Sequence, residues 1–469
     1  MISLQRPYAA LFAFPLFIAP LVHAQQAPID SEAIRWISST QSQPWREMPV
    51  EAVSPPIEAS ESISIKLDEQ TTFQRIDGFG GCFNDLGWEA LRSMAPPARE
   101  RALRSLFAPD GANFTLGRAP MGANDFALGW YSFDETPGDF ALKNFSIEHD
   151  RQTILPFIHA AMKFQPGLGI WGVPWSPPAW MKTNGAYKGG AMKDDPETLA
   201  SYALYFSKYV QAYRKEGIRL YAVMPQNEPK YNDNVYPQAV WSGKLIDVFL
   251  RDYLAPRLRQ DNVNVEIWQG TIVNEKLDDF ILPVLGDPKT NQLISGVAYQ
   301  WGGQDAMLAT HERYPDKKIM QSETECNNGD NTWQQGLITF GRMIADMNHF
   351  AGSYFFWNII LNEEGKSTWG WRQNSLLTVN RSTGQVQYNP EFYSMKHFSA
   401  NVLPGARRIA VSGVAFKDLV AFRNPSGSKV LEFENGSDEP VVATIQSSGK
   451  VYRLQVPAES MNTIILPAK

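Results

Sequence analysis

Eight short apolar segments recur along the middle of this chain, and each is followed by a segment with helical periodicity. The predicted strands are 73–79, 113–118, 167–173, 220–224, 263–268, 294–299, 318–321 and 352–357. The predicted helices lie near 88–106, 151–163, 196–216, 237–254, 275–285, 304–314, 333–348 and 390–401. Strands joined through helices pair in parallel, because the chain must cross back between them. Eight such units close a barrel, so the pattern predicts an α/β fold, a (β/α)8 TIM barrel over residues 73–403.

An open doubly wound sheet is the alternative arrangement of the same units. It would distribute the residues at the strand ends along an edge of the sheet. A barrel instead gathers them at its C-terminal face, where active sites of this fold lie.

The two ends of the chain have a different pattern. Residues 404–469 contain short alternating segments separated by turn residues, which predicts an additional antiparallel β-sandwich domain. Residues 25–60 are rich in Ser, Pro and Gln and are predicted to be irregular. Residues 63–67 alternate between apolar and polar side chains, so the segment 25–72 is expected to contribute one strand to the sandwich.

Residues 1–24 have the features of a signal peptide. Arg6 supplies a positive charge, 9–22 are mostly apolar, and Val22-His-Ala24 has the form of a cleavage site. The apolar run is too short to span a membrane, and no later segment is long enough. We therefore expect a secreted or periplasmic protein without a membrane span.

Composition excludes several classes of function. A hydrophobic content of 43% and a charged content of 20% predict a packed core rather than disorder. The net charge of −6, without a clustered basic face, argues against nucleic-acid binding. Neither zinc-ligand spacing nor a phosphate-binding loop is present, so we expect no metal and no cofactor. We also expect a monomer.

Cys82 and Cys326 are the only cysteines, and whether they form a disulfide stays open at this point.

Two glutamates stand out because each follows a predicted buried strand. Glu228 lies in Asn227-Glu-Pro229, after the fourth strand, and Glu323 follows the seventh. Glu325 is a local rival, since period-2 alternation would place it on the same face as Glu323. Glu323 is preferred because it lies nearer the strand. Two carboxyl groups that face one gap are the minimum equipment for cleaving a glycosidic bond. The 14 Trp residues also favour a carbohydrate cleft, since sugar rings stack on indole.

Ordered motifs give the chain a resemblance to glycoside hydrolase family 30, which includes lysosomal glucosylceramidase. The matching stretches are Gly78-Phe-Gly-Gly81, Asn84-Asp85, Leu116-Gly-Arg-Ala-Pro-Met-Gly-Ala-Asn-Asp-Phe126, Trp175-Ser-Pro-Pro-Ala-Trp-Met-Lys182, Gln226-Asn-Glu-Pro229, Ser322-Glu323, Cys326, Trp357-Asn358, Asn389-Pro-Glu-Phe-Tyr393 and His397-Phe398. The resemblance implies a barrel with a β-module built from both ends of the chain. It also implies hydrolysis with retained anomeric configuration.

The resemblance further implies roles for individual residues. Glu323 would be the nucleophile and Glu228 the acid/base, and Arg118 would orient the nucleophile. The residues expected to bind the sugar are Asp125, Trp175, Asn227 (at the 2-hydroxyl), Trp301, Trp357 (as an aromatic floor) and, at the rim, Asn374. Structural alternatives exist for three of these positions. Arg118 could form a salt bridge in the barrel floor, Asp125 could order its insertion, and Trp357 could fill the core.

Two features depart from the family pattern, and one of them is the additional Glu325 between Glu323 and Cys326. Relatives similar to glucosylceramidase carry His-Trp-Tyr after the sixth strand, where this chain has Gln300-Trp-Gly302. Tyr299 is the candidate to replace the missing hydroxyl. The expected substrate is a β-linked glycan, either a β-glucoside or a β-glucan such as β-1,6-glucan. The alternatives are glucosylceramide, the substrate of sphingolipid metabolism, or a β-xyloside, β-fucoside or β-galactoside. Different classes would be a non-catalytic glycan-binding protein, a lyase or a metal-dependent hydrolase.

Overall fold

The structure is a computed structural model that describes residues 33–53, 63–273, 276–324, 326–414, 416–447 and 449–468. The predicted leader, residues 1–24, lies outside the described residues, and so does Glu325. In the part of the chain that is described, no helix is both long and apolar enough to cross a bilayer.

Eight parallel strands close into a barrel, which confirms the predicted fold class. In chain order they are Gly78–Cys82, Leu116–Pro120, Gly169–Val173, Leu220–Val223, Glu266–Ile272, Ile294–Gln300, Lys318–Glu323 and Ala351–Asn358. A Cβ atom on Gly80 would lie 1.8 Å from the carbonyl oxygen of Leu116, so the close approach of the first two strands requires glycine there. Because the strands are parallel, their carboxyl ends meet at one face.

Helices surround the barrel. The α-helices are Asp85–Arg92, Pro96–Phe107, Glu148–Gln152, Ile154–Met162, Pro196–Lys215, Gly243–Val248, Ala255–Gln260, Ile281–Leu285, Pro288–Asn291, Gln304–Arg313, Trp333–Asn348 and Pro390–Asn401. A π-helical turn, Phe249–Leu254, and a 3-10 turn, Ala179–Met181, complete the set among the described residues.

Four helix predictions need correction. The helix predicted at 151–163 is two helices, Glu148–Gln152 and Ile154–Met162, and the one predicted at 275–285 begins only at Ile281. The predicted helix 88–106 is two helices, because Pro96 opens a second one at its first position. The helix predicted from 237 begins at Gly243, where Ser242 Oγ accepts a hydrogen bond from the Leu245 amide and caps the first turn.

Both ends of the chain build the second domain, a ten-stranded sheet. Its strands are Arg35–Ser39, Arg46–Met48, Glu51–Val53, Ile63–Arg75, Arg407–Val414, Leu419–Arg423, Lys429–Asn435, Val441–Ser447, Lys450–Val456 and Ser460–Leu466. It has its own apolar core, which includes Trp36, Ile65 and Leu431. All pairings are antiparallel except that of Val441–Ser447 with Ile63–Arg75.

The N-terminal segment is more regular than predicted. Three strands lie between residues 35 and 53, where an irregular segment was expected. Arg35–Ser39 pairs along its full length with the last strand of the chain, and Trp36 and Ile37 are buried there. The strand Arg35–Ser39 is stabilised by a partner strand more than 400 residues away in sequence, which local composition does not reveal.

The strand predicted at 73–79 is also divided. Residues up to Arg75 belong to the long sandwich strand, where Arg75 pairs with Arg407. The first barrel strand begins only at Gly78. One chain segment therefore crosses directly from the sandwich into the barrel.

Candidate active site

Glu228 follows the fourth barrel strand in a tightly held turn. Its φ of 45° lies in the left-handed region, which is unfavourable for a residue with a side chain. Neighbouring strands hold the backbone in place. The Asn227 amide donates to Pro174 O at 2.8 Å, and the Glu228 amide donates to Thr271 O at 3.1 Å. The side chain is thus fixed at the carboxyl ends of the strands.

Glu323 is the last residue of the seventh barrel strand. Its carbonyl oxygen accepts from the Trp301 amide at 3.1 Å and from Gln321 Nε2 at 2.8 Å. Its carboxylate Oε2 accepts from Arg118 Nη1 and from Gln300 Nε2, the latter at 3.3 Å. Glu323 is therefore held from the neighbouring sixth strand and from the second strand across the barrel.

Arg118 connects the two glutamates. The guanidinium is fully buried, bonds Glu323 through Nη1, and donates through Nη2 to Asn227 Oδ1 at 2.5 Å. Arginine has only donors, so the oxygen of the Asn227 amide must point toward it. The Asn227 Nδ2 group is consequently on the side of Glu228, 3.4 Å from Oε2. Arg118 extends upward to the strand ends and is not a salt bridge of the barrel floor.

Aromatic rings surround this charge pair. The Arg118 guanidinium carbon lies 4.3 Å from the ring centroid of Trp175 and 5.5 Å from that of Trp357. The two indoles stack on each other, with centroids 5.1 Å apart and an interplanar angle of 28°. A desolvated guanidinium on indole faces gains cation–π attraction, which stabilises its position.

Both glutamates line one cavity of about 360 Å³. Its other lining residues are Asp125, Trp175, Tyr231, Asp233, Val235, Tyr236, Trp301, Thr324, Cys326, Trp357, Trp369, Trp371 and Gln373. Of the residues predicted from sequence to bind the sugar, four line this cavity, namely Asp125, Trp175, Trp301 and Trp357. Arg118 and Asn227 are buried beside them and bond the glutamates.

The electrostatics distinguish the two carboxyl groups. Burial, and then the charge of Glu323, raise the pKa of Glu228 to about 8. Burial also raises the pKa of Glu323, but the charge and hydrogen bond of Arg118 oppose that effect. Glu323 is therefore the first of the pair to ionise, and Glu228 retains its proton near neutral pH. A proton donor and a carboxylate in one cavity are what glycoside cleavage requires.

Asp125 is a third carboxyl group in the cavity. Burial, followed by the charge of Glu323, raises its pKa to about 7. Its Oδ1 is buried and has no hydrogen-bond partner among the described residues. A buried oxygen that lines a cavity and lacks a partner is suited to a hydroxyl group of a ligand.

Two family profiles match the chain. The profile described as the glycosyl hydrolase family 30 TIM-barrel domain covers residues 76–402, and that of the family 30 beta sandwich domain covers residues 405–464. The chain belongs to glycoside hydrolase family 30. This family 30 protein is accordingly a retaining glycoside hydrolase, which confirms the predicted enzyme class.

Similar proteins include a glucosylceramidase, an endo-1,6-beta-glucanase and a solved structure of the same fold. Lysosomal acid glucosylceramidase of Mus musculus is 29% identical over 81% of this chain and 79% of its own length. Endo-1,6-beta-D-glucanase BGN16.3 of Trichoderma harzianum is 27% identical over 90% of both chains. The crystal structure of SrfJ from Salmonella typhimurium superposes with a TM-score of 0.85 at 26% identity, covering 93% of this chain and 100% of that one.

Where this family 30 chain has Gln300, the side chain joins the network beneath the cavity. Its Nε2 lies 2.7 Å from Asn227 Oδ1, 2.7 Å from Thr271 Oγ1 and 3.3 Å from Glu323 Oε2. The sequence marked position 300 as a departure from the family motif but gave it no role. Thr271 was not predicted, because its position opposite Asn227 depends on the register of the barrel strands.

The expected replacement of the missing tyrosine was wrong. The Tyr299 hydroxyl bonds Thr310 Oγ1 at 2.5 Å, and Tyr299 does not line the cavity. Tyr236 instead donates its hydroxyl to Glu228 Oε2 at 2.8 Å. It comes from the loop after the fourth strand, where a tyrosine eight residues beyond Glu228 is the only sequence signal.

The structure also decides the predictions for Asn374 and for the two cysteines. Asn374 is not at the rim, because it is fully buried, with its Oδ1 accepting from the Gly329 amide and its Nδ2 donating to Glu391. Cys82 and Cys326 are buried free thiols, and Cys326 lines the cavity. Among the described residues, no group of His, Cys, Asp and Glu side chains could hold a metal ion.

Proposed function

We propose that this enzyme hydrolyses a β-glucan, with β-1,6-glucan as the first candidate, by double displacement at Glu228 and Glu323. The observation that carries the proposal is the unequal pair of carboxyl groups on one cavity. Glu228 is held protonated by burial, while Glu323 is bonded to Arg118. In this mechanism one group must begin as an acid and the other as an anion.

The residues fit the successive steps. The ionised Glu323 attacks the anomeric carbon, and a glycosyl ester forms while Glu228 protonates the departing oxygen. Glu228, now ionised, takes a proton from water, which attacks the ester and releases the sugar with its configuration retained. Tyr236 donates to Glu228 Oε2 and therefore stabilises the ionised form that this second step requires.

Sugar recognition would use the residues around Glu323. The stacked indoles Trp175 and Trp357 offer an apolar wall for the C–H faces of a sugar ring. The unpartnered Oδ1 of Asp125 offers an acceptor for a hydroxyl. The Asn227 Nδ2 group lies on the side of Glu228, in keeping with a contact to the 2-hydroxyl.

The choice of β-1,6-glucan is supported by the relatives that act on it, which this chain matches over most of its length. Glucosylceramide is the second candidate because relatives of similar identity cleave it. A comparison of initial rates on β-1,6-glucan, β-1,3-glucan, xylan, aryl β-glycosides and glucosylceramide decides between them. Preference for glucosylceramide over every glucan would overturn the proposed substrate. Proton NMR of the first product should show the β-anomer, and an α-anomer would overturn the mechanism.

We also propose that the chain is exported. The support is the sequence of residues 1–24, with a cleavage site before Gln25. Expression of the full chain in a Gram-negative host, followed by N-terminal sequencing of the periplasmic fraction, should give a mature protein that begins at Gln25. Intact protein confined to the cytoplasm would contradict export.

A further inference from the structure

Two loops from opposite sides of the barrel meet over the cavity. Tyr236 follows the fourth strand and Trp369 follows the eighth, and three strands separate these two in either direction around the barrel. Their rings nevertheless stack, with centroids 6.2 Å apart and an interplanar angle of 20°. Trp371 packs on Trp369 at 5.3 Å. The loop that carries both tryptophans therefore reaches across the mouth of the barrel.

A second aromatic pair lies at the same mouth. Tyr231 and Trp301 stack with centroids 6.4 Å apart and an interplanar angle of 21°. Trp301 remains 41% exposed and Trp371 40% exposed, although both line the cavity. Exposed indoles at the mouth of an otherwise buried site offer apolar area that a ligand can cover.

Two of these residues, Tyr231 and Tyr236, hydrogen-bond Glu228, and their rings stack on Trp301 and Trp369. The Tyr231 amide donates to the Glu228 carbonyl oxygen at 3.1 Å, and the Tyr236 hydroxyl donates to the Glu228 carboxyl at 2.8 Å. The group that protonates the leaving oxygen must lie beside the leaving group. The rings that surround Glu228 are therefore placed to contact the part of the substrate that departs, whereas Trp175 and Trp357 pack against Arg118.

The loop is fixed before any ligand arrives. Thr368 donates to the Asp125 carbonyl oxygen through its amide at 2.9 Å and through its hydroxyl at 3.0 Å. The Ser367 amide donates to Trp371 O at 2.8 Å, and the Asn374 amide donates to Cys326 O at 2.6 Å. A site with rigid aromatic rings loses little conformational entropy on binding.

The polar groups among the rings favour a sugar over an alkyl chain. Gln373 Oε1 accepts from Asn358 Nδ2 at 2.7 Å, which leaves the Gln373 Nε2 group as a donor for a hydroxyl. Asp233 adds an exposed carboxylate to the cavity lining. An alkyl chain would desolvate both groups without compensation, whereas the hydroxyls of a pyranose can bond them.

We propose that Trp301, Trp369 and Trp371 form a subsite for the leaving group that takes a pyranose ring. This inference rests on the proposed function and specifies it: the enzyme selects substrates whose leaving group is itself a sugar. Trp371, on the last loop, is the ring that determines this selectivity, and Trp369 holds it in place.

The test compares two substrates of one glycosyl group. A β-1,6-linked glucose trisaccharide has a sugar leaving group, whereas β-glucosyl fluoride has none. For Trp371→Ala we expect kcat/KM to fall about tenfold on the trisaccharide, which is typical of a lost aromatic contact, and by less than about twofold on the fluoride. Trp301→Ala should lower kcat/KM on the trisaccharide by a similar factor. Trp130→Ala is the matched control, because Trp130 is also exposed, at 37%, but packs beside Lys188 and does not line the cavity.

Equal losses on both substrates, or no loss on the trisaccharide, would overturn the subsite. A loss confined to glucosylceramide in mixed micelles would show that the rings bind lipid instead. If wild type cleaves a different β-linked trisaccharide, the proposed linkage fails while the same comparison on that trisaccharide still decides the subsite. A wild type that cleaves only glucosyl fluoride and glucosylceramide overturns both proposals.

Discussion

Arg118 bonds Asn227 through one guanidinium nitrogen, at 2.5 Å, and Glu323 through the other. One buried cation thus orients the amide beside the proposed acid/base and the carboxylate of the proposed nucleophile. The positions of these groups depend on each other, because Asn227 in turn lies 3.4 Å from Glu228. The second, fourth and seventh strands are joined by this one side chain.

Replacement of Arg118 should impair chemistry more than substrate binding. Arg118→Lys keeps a charge but loses the fork that spans both partners, so we expect kcat to fall by about 10² to 10³, as for other lost preorganised donors. Arg118 also opposes the raised pKa of Glu323. The acidic limb of the kcat/KM profile should therefore move to higher pH. Arg92→Lys is the control, because Arg92 forms an exposed ion pair with Glu89. An unchanged acidic limb in Arg118→Lys would contradict the proposed effect of Arg118 on the pKa of Glu323.

The Tyr236 hydroxyl should set the basic limb of the same profile. Its hydrogen bond lowers the pKa of Glu228, which burial and Glu323 otherwise raise. Tyr236→Phe should therefore raise that pKa further, and activity should persist to higher pH. The measurement is kcat/KM from about pH 5 to pH 10, which brackets the Glu228 ionisation. Tyr299→Phe removes a hydroxyl outside the cavity and should leave the limb unmoved. A downward shift for Tyr236→Phe would refute this interpretation.

The buried carboxyl group of Glu228, the proposed acid/base, should lower the stability of the folded protein. Its pKa is raised from 4.5 to about 8, so between these values the folded state binds more protons than the unfolded state. Stability then falls as pH rises through that window. Glu228→Gln removes this effect, so its Tm should exceed that of wild type by more at about pH 8 than at about pH 5. Glu323→Gln should instead lower Tm, because Arg118 loses its buried counter-ion. Thermal unfolding of both variants at the two pH values checks this contrast.

A buried polar chain should stabilise the junction of barrel and sandwich. The Trp45 amide donates to Ser39 Oγ at 2.9 Å, Ser39 Oγ lies 2.8 Å from His397 Nε2, and His397 Nδ1 lies 2.7 Å from Thr463 Oγ1. The Thr463 hydroxyl donates to Glu432 at 2.6 Å. The Trp45 amide can only donate at one end of this chain, and Glu432 accepts at the other. Ser39 and Thr463 can then each donate to the next group only if His397 is neutral and carries its proton on Nδ1.

His397→Ala should therefore lower the free energy of unfolding by about 2 to 4 kcal/mol, since it breaks two buried hydrogen bonds and leaves a cavity. Burial lowers the pKa of His397 to about 3, so its contribution should diminish as pH falls below the ordinary value of 6.5. Denaturant unfolding measures the loss. His159→Ala, at an exposed histidine, should change stability by less than about 0.5 kcal/mol. A similar loss of stability in both variants would argue against a stabilising role of this hydrogen-bond chain at the junction.

The sequence predicted the barrel because its strands are short apolar runs whose neighbours in space are also neighbours along the chain. Glu228 and Glu323 were predicted to share one site for the same reason, since each marks the end of such a run. The strand Arg35–Ser39 was missed because its pairing partner lies at the other end of the chain.

The finer parts of the site depend on the contacts between loops. Thr271 lies opposite Asn227 because of the register of the fourth and fifth strands, and Tyr236 reaches Glu228 through the path of the loop after the fourth strand. Periodicity specifies neither. Asn374 was misplaced because a polar residue near a tryptophan-rich loop is equally compatible with the rim and with a buried bond to Glu391. Such choices follow from packing in three dimensions.

Covalent labelling tests the central claim most directly. A 2-fluoro-β-glucosyl fluoride traps the glycosyl ester because the fluorine slows its hydrolysis. We expect one label per chain, and peptide mass spectrometry should place it on Glu323. Glu228→Gln should still accept the label, since fluoride leaves without an acid. A label on Glu325 or Glu228, or inactivation without an ester, would contradict the mechanism.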